Sequence, residues 1–177
     1  MATIRFKNVG LTAISACVPQ KVVSNYDLDY MMPKETVEKL VNSIGIKEKR
    51  FVDKNVCTSD LCYKAAQKLM DDNNIDPSSI DMLLFLTLTP DYIMPPTSSL
   101  LQHRLGLPSD TACLDMSLAC SGFVYALSTA YAYASMAGVD RVLLLVGETM
   151  SKLANPRDRL NYPLYGDAGT ACLVEKG

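Results

Sequence analysis

Six cysteines and one histidine hold most of the nucleophilic and metal-binding capacity of this chain. Cys17, Cys57, Cys62, Cys113, Cys120 and Cys172 form no C-x-x-C pair, and His103 has no second histidine beside it. A zinc site is therefore not expected. Cys120 differs from the others in its setting. The short apolar stretch Ala112 to Met116 reads as a strand, Ser117 to Ala119 are small or apolar, and a helical pattern runs from Phe123 without Pro until Gly138. Cys120 thus falls at a strand-to-helix turn. The first N–H groups of a helix lack intrahelical partners and carry partial positive charge. A thiol with an ordinary pKa of ~8.5 is pushed toward thiolate in such a place. Ala119, Ser121 and Gly122 leave room for a carbonyl to approach, and the Cys120 N–H could donate to a developing oxyanion. The residues alone keep two readings open, an activated nucleophile and a small core thiol.

The elements that must position this turn follow from hydrophobic periodicity. Val9 to Cys17 reads as a first strand and Asn25 as the cap of a helical turn through Tyr30. Lys34 to Ile44 is an amphipathic helix stopped at Gly45, and Arg50 to Val52 is a short extended piece. Thr58 or Ser59 caps the next helix, with Leu61, Cys62, Ala65, Ala66, Leu69 and Met70 as its stripe. Met82 to Thr87 is apolar enough to be a strand buried on both faces. Pro90, Pro95 and Pro96 mark a loop, and Thr97 to Leu105 is a helix stopped at Gly106. After the turn, Phe123, Leu127 and Ala130 recur at helical spacing with Val124 and Tyr131 beside them. Arg141 to Val146 is a strand that Gly147 and Glu148 leave. A loop over Met150 to Pro163 and a last strand, Gly169 to Val174, complete the chain. Strands separated by helices predict an α/β fold, a five-stranded mixed but mostly parallel sheet with helices on both faces. The last two strands have no helix between them, which predicts an antiparallel edge. The chain stops directly after a strand, as a truncation or an autonomous half-unit would.

Composition excludes several functions. Net charge is -2 and the basic residues do not cluster beyond Lys47, Lys49 and Arg50, so nucleic acid is not expected as a partner. The most apolar windows are of strand length, so no membrane association is expected. No signal-like segment opens the chain, and the unpaired cysteine spacing fits reduced thiols in a cytoplasm. Gly166 and Gly169 lack the spacing of a phosphate-binding loop.

Several stretches, in order, carry a resemblance. Asp115-Met116-Ser117-Leu118-Ala119-Cys120-Ser121-Gly122-Phe123 resembles the active-site motif of the β-ketoacyl-acyl-carrier-protein synthase III family, condensing enzymes of thiolase fold. Gly147-Glu148-Thr149-Met150-Ser151 is similar to the segment after that family's fourth strand, and Asp158-Arg159 to a recurrent pair in the following loop. Tyr165-Gly166-Asp167-Ala168-Gly169-Thr170-Ala171 resembles the Gly-Asp-Gly-Ala-Gly-Ala element, one glycine shorter. Pro90 through Gly106 is similar to the loop and helix before the active-site strand.

The resemblance implies that residues 1–177 are the N-terminal half of a thiolase-like enzyme, with the C-terminal half absent. Cys120 would take an acyl group from a thioester, acyl-coenzyme A or acyl carrier protein, and the acyl-enzyme would condense with a malonyl unit on acyl carrier protein as carbon dioxide leaves. The pathway implied is fatty acid or related biosynthesis, in a cytoplasmic homodimer with no bound cofactor. Met94 aligns with a position that reaches across the dimer and limits the partner's acyl pocket; packing within a proline-rich loop is its other reading. The family's catalytic His and Asn lie in the absent half, and His103 falls on a non-catalytic helix. Lys39 and Ser43 stand where the family often has the Trp and Arg that grip coenzyme A, and the chain has no Trp. Two alternatives stay open: a non-decarboxylating acyltransferase of the same fold, and a non-catalytic dimerisation or acyl-binding module.

Overall fold

A computed structural model describes residues 3–177. Its main sheet has the order β1-β7-β6-β4-β5. The strands are β1 (Val9–Cys17), β4 (Met82–Leu86), β5 (Ala112–Met116), β6 (Arg141–Thr149) and β7 (Asp167–Lys176). β4 pairs parallel with β5 and β6, whereas β7 pairs antiparallel with β6 and β1. Four strands therefore run one way and β7 alone runs against them. The predicted antiparallel pair is present, but it is not an edge. β1 folds back across the outer side of β7 and becomes the edge itself. That pairing joins residues at opposite ends of the chain, which local periodicity cannot reveal. A two-stranded sheet, β2 (Lys21–Ser24) with β3 (Glu48–Phe51), lies apart and extends the predicted piece at Arg50.

Helix α2 (Thr58–Asn73) and α3 (Thr97–Arg104) cover one face. Its core holds Cys62, Ala66, Leu69, Leu83, Phe85, Leu143 and Leu173, all buried. The opposite face carries α4 (Gly122–Ala134) over Leu84, Leu144 and Val174. α1 (Lys34–Ile44) packs on Leu28 and Met32 and ends as predicted at Gly45, whose φ of 74° suits a residue without Cβ.

Three local expectations change. Ser24, not Asn25, caps the first helical turn, its hydroxyl accepting from the Tyr26 N–H. Asn25 is buried instead and donates to the carbonyls of Ile46 and Pro163. Cys57 precedes α2 as its cap, and Asp60 accepts from the Cys57 N–H at 2.8 Å. β6 does not stop at Val146. It continues through Thr149 because Gly147, Glu148 and Thr149 pair with Gly169, Ala168 and Asp167.

The two paired glycines let α2 lie against the sheet. A Cβ on Gly169 would stand 2.6 Å from the Cys62 nitrogen and the Leu61 carbonyl carbon, and one on Gly147 2.6 Å from the Cys62 sulfur. α4 shows the same economy on the other face. Its buried side is Gly122, Ala126, Ala130 and Ala134; of the predicted stripe Ala130 is buried and Leu127 packs half-buried beside it, whereas Phe123 does not face the sheet. Phe123 and Val124 point outward, 41% and 69% exposed. Small residues admit the helix close to the sheet. A helix apolar on all sides also has an outer face suited to further burial.

Candidate active site

The C-terminal ends of β4 and β5 lie side by side, Leu86 opposite Met116, with the Thr87 N–H donating to the Met116 carbonyl. The chain leaves β5 there, turns through Ser117 to Ser121 and enters α4. The Gly122 N–H closes the turn onto the Ala119 carbonyl at 2.7 Å, which leaves the Cys120 N–H outside that bond. Gly122 presses on the end of β4, where an added Cβ would meet a Leu86 methyl at 3.0 Å. The absent side chain is what lets the turn sit directly over the strand end.

Cys120 is exposed. The contrast with the other cysteines is physical. Burial pushes the Cys62 thiol up to about 12, and burial also raises Cys172 and Cys113. Cys57 is raised by burial first and then by the Asp91 carboxylate. A thiol in an apolar wall resists losing its proton because the thiolate would be unsolvated.

Two clefts flank the loop after β4, and Pro90 and Ile93 line both. The larger, about 420 Å³, runs between Leu88, Ile93 and Leu153 with Thr58, Thr89 and Thr149 in its wall. The smaller, about 230 Å³, reaches Asp115, Met116 and Ser117, at the start of the turn that bears Cys120. Met94 is 83% exposed on the same loop and lines neither cleft.

Carboxylates fix these segments. Asp115 accepts from the Thr97 and Ser98 N–H groups at 2.8 Å each, docking the start of α3 on β5. Asp167 is buried and accepts from the N–H groups of Val52 and Ser151 and from the Ser151 hydroxyl. Glu148 accepts from the Leu88 N–H and the Thr89 hydroxyl at 2.8 Å each. Asp158 holds its own loop, accepting from the N–H groups of Leu160 and Asn161 and from the Asn161 side chain. All four lie within motifs legible in the sequence. Asp158 finds its partners two and three positions on, but those of Asp115, Glu148 and Asp167 lie 16 to 115 positions away, and no sequence signal names them.

His103 is exposed on the last turn of α3. It lies six residues beyond Thr97, about 9 Å along the helix axis from the end that Asp115 ties to β5. Lys39 pairs with Glu35 in solvent, and Ser43 is exposed. Among the described residues no group of three or more His, Cys, Asp or Glu is placed to hold a metal, and no helix is long and apolar enough to cross a membrane.

Comparison with known proteins gives consistent results. Residues 114–177 match the model of the family described as 3-oxoacyl-[acyl-carrier-protein (ACP)] synthase III. A beta-ketoacyl-[acyl-carrier-protein] synthase III of Desulfitobacterium hafniense strain Y51 is 36% identical over 173 residues, which is 96% of this chain and 52% of that protein. One of Caldanaerobacter subterraneus subsp. tengcongensis is 34% identical over 165 residues, 93% of this chain and 49% of its own length. A solved 3-oxoacyl-(acyl-carrier protein) synthase of Burkholderia xenovorans LB400 superimposes with a TM-score of 0.95 at 36% identity, over 98% of this chain and 50% of that one. The chain spans about half the length of the curated relatives it matches.

Proposed function

From a chain homologous along nearly all its length to about half of the β-ketoacyl-acyl-carrier-protein synthase III proteins, we propose that residues 1–177 form the nucleophile-bearing N-terminal half of such an enzyme. Cys120 is its nucleophile. The observation that carries this reading is that the most open of the six thiols stands on a strand–turn–helix junction whose first residues, Met116 and Ser117, line a cleft.

The Cys120 thiolate attacks the carbonyl carbon of an acyl thioester. The oxyanion that forms is stabilised by the Cys120 N–H, and the donor's C–S bond breaks with its electron pair leaving on the donor sulfur. The acyl chain lies in the cleft that reaches this turn, along Ile93 and Met116. Condensation follows when a malonyl thioester loses carbon dioxide. The electron pair of the broken C–C bond attacks the Cys120-bound acyl carbon and releases the thiolate. Activation of the malonyl group falls to a His and an Asn of the other half.

The partner is a second copy. β5 is an edge strand with Leu114 exposed, and the outward residues Phe123, Val124 and Tyr125 continue that apolar face. Met94, almost bare in one copy, then contributes to the acyl cleft of the other. Acyl carrier protein is the macromolecular substrate, and the enzyme works in the cytoplasm.

The test is intact mass after incubation with acyl-coenzyme A and acyl-carrier-protein thioesters, comparing wild type with Cys120→Ala. A mass gain equal to the acyl group, present only with Cys120, is expected. Acylation that survives Cys120→Ala overturns the assignment.

A further inference from the structure

We infer that a cleft at the β1 edge of the sheet, across from β5, binds a medium-chain carboxylate, a hydrocarbon chain with one anionic head. The cleft lies where the ends of β1 and β3 meet α2, and its volume is about 430 Å³. Small-molecule pockets usually run from about 300 to 1,000 Å³. β1 and β5 are the two edges of the five-stranded sheet, so four strand spacings, about 19 Å, separate this cleft from the strand that leads to Cys120. The inference stands apart from the acyl-transfer reading.

The lining sorts by depth. Phe51 and Leu61 are buried at the floor, and Cys17, Pro19, Val52 and Val56 are half-buried above them. Val18, Gln20, Lys21, Asp53 and Lys64 are exposed at the rim. Neither Lys21 nor Lys64 belongs to an ion pair among the described residues, whereas Lys68, one turn further along α2, is paired with Asp72. Asp53 is in no ion pair either. Two ammonium groups against one carboxylate leave the rim net positive above an apolar floor. Long lysine stems let both charges reach a head group at the mouth while their methylenes cover the chain below. The walls are also fixed before any ligand arrives. The Arg50 guanidinium donates to the Pro19 carbonyl at 2.9 Å and to the Gln20 carbonyl at 3.3 Å, which holds the turn after β1 against β3. The Val52 N–H is held by the Asp167 carboxylate. A preformed cleft binds without the entropy cost of ordering its walls.

The experiment is isothermal titration calorimetry with octanoate, acetate and 1-octanol as probes. Octanoate is expected to saturate one site. Acetate should not bind measurably, because each buried methylene is worth about fourfold in affinity. 1-Octanol, which lacks the charge, should bind severalfold more weakly than octanoate. Replacing both rim lysines, Lys21→Met with Lys64→Met, is expected to raise the octanoate Kd about fivefold, the scale of two exposed ion pairs, and to leave 1-octanol unchanged. Val18→Asp sets a second carboxylate on the rim and should also weaken octanoate. Lys68→Met is the control and should bind octanoate as wild type does. All these positions are exposed, so the variants keep the fold, which circular dichroism checks. A wild type that never saturates with octanoate, equal weakening by Lys68→Met, or unchanged octanoate affinity in both the double lysine variant and Val18→Asp overturns the inference. Octanoate is also expected to leave the rate of Cys120 alkylation by iodoacetamide unchanged. Octanoate that protects Cys120 and ignores the two lysines places the chain beside that thiol and overturns it as well.

Discussion

Adding one methyl group at Gly169 tests the way α2 is seated. The new Cβ would lie 2.6 Å from the Cys62 nitrogen, the Leu61 carbonyl carbon and the Leu61 Cβ. Carbon atoms rest about 3.5–4.0 Å apart, so roughly 1 Å must open between sheet and helix. Two of the three atoms are backbone, and no rotamer change relieves them. The helix itself must move, and it carries Leu61, Cys62, Ala65, Ala66 and Leu69 into the core. Overpacking of this kind costs about 1–3 kcal/mol, and the backbone contacts place Gly169→Ala at the upper end, about 3 kcal/mol. At roughly 2–4 °C per kcal/mol for a chain of this size, Tm falls by roughly 6–12 °C. Gly10→Ala is the control. Its Cβ meets nothing within 4 Å, and the substitution removes freedom from the unfolded chain, for a gain of about 0.4–1 kcal/mol. Scanning calorimetry of the three proteins at one concentration and scan rate makes the comparison. A Tm for Gly169→Ala within about 2 °C of wild type would refute the close seating of α2.

Thiol reactivity should follow burial. Iodoacetamide near neutral pH is expected to label Cys120 first and Cys62 and Cys172 last, read by peptide mass spectrometry over time; Cys62 labelling at the Cys120 rate would contradict the buried, raised thiol. Asp115→Ala leaves the first N–H groups of α3 without their acceptor. A loss of about 1–3 kcal/mol is expected by urea unfolding, and no change would show that α3 does not depend on that carboxylate. Lys49 is buried between Phe51 and Tyr162, and burial lowers its pKa from 10.5 to about 8. Between those values the unfolded chain holds a proton that the folded chain has released, so stability from this residue rises with pH. Wild type should gain on Lys49→Met as pH goes from 8 to 10, and a difference that falls over that range would reverse the sign. Light scattering at micromolar concentration should find assemblies larger than one chain, because Phe123, Val124, Tyr125 and Leu114 leave apolar surface open; a monodisperse monomer would remove the basis for a paired β5 edge.

The local pattern settled most of the strands and helices, though not β2, since burying alternate or every third and fourth side chain needs only neighbours along the chain. The buried strand at Met82, the α1 stop at Gly45 and the strand–turn–helix around Cys120 all follow from residues a few positions apart. The motifs at Asp115, Cys120, Glu148 and Asp167 were visible as residues. What these groups touch was not. Glu148 meets Thr87, Leu88 and Thr89 because β6 lies beside β4, and Asp167 reaches Val52 across the fold. On α4 only Phe123 leaves the expected stripe, for a related reason. In a helix apolar on every side, periodicity no longer points, and the sheet selects the face whose Gly and Ala fit against Leu86. β1 became an edge by pairing with β7, at the far end of the sequence. Only tertiary packing, which joins residues distant in the chain at van der Waals contact, decided those placements.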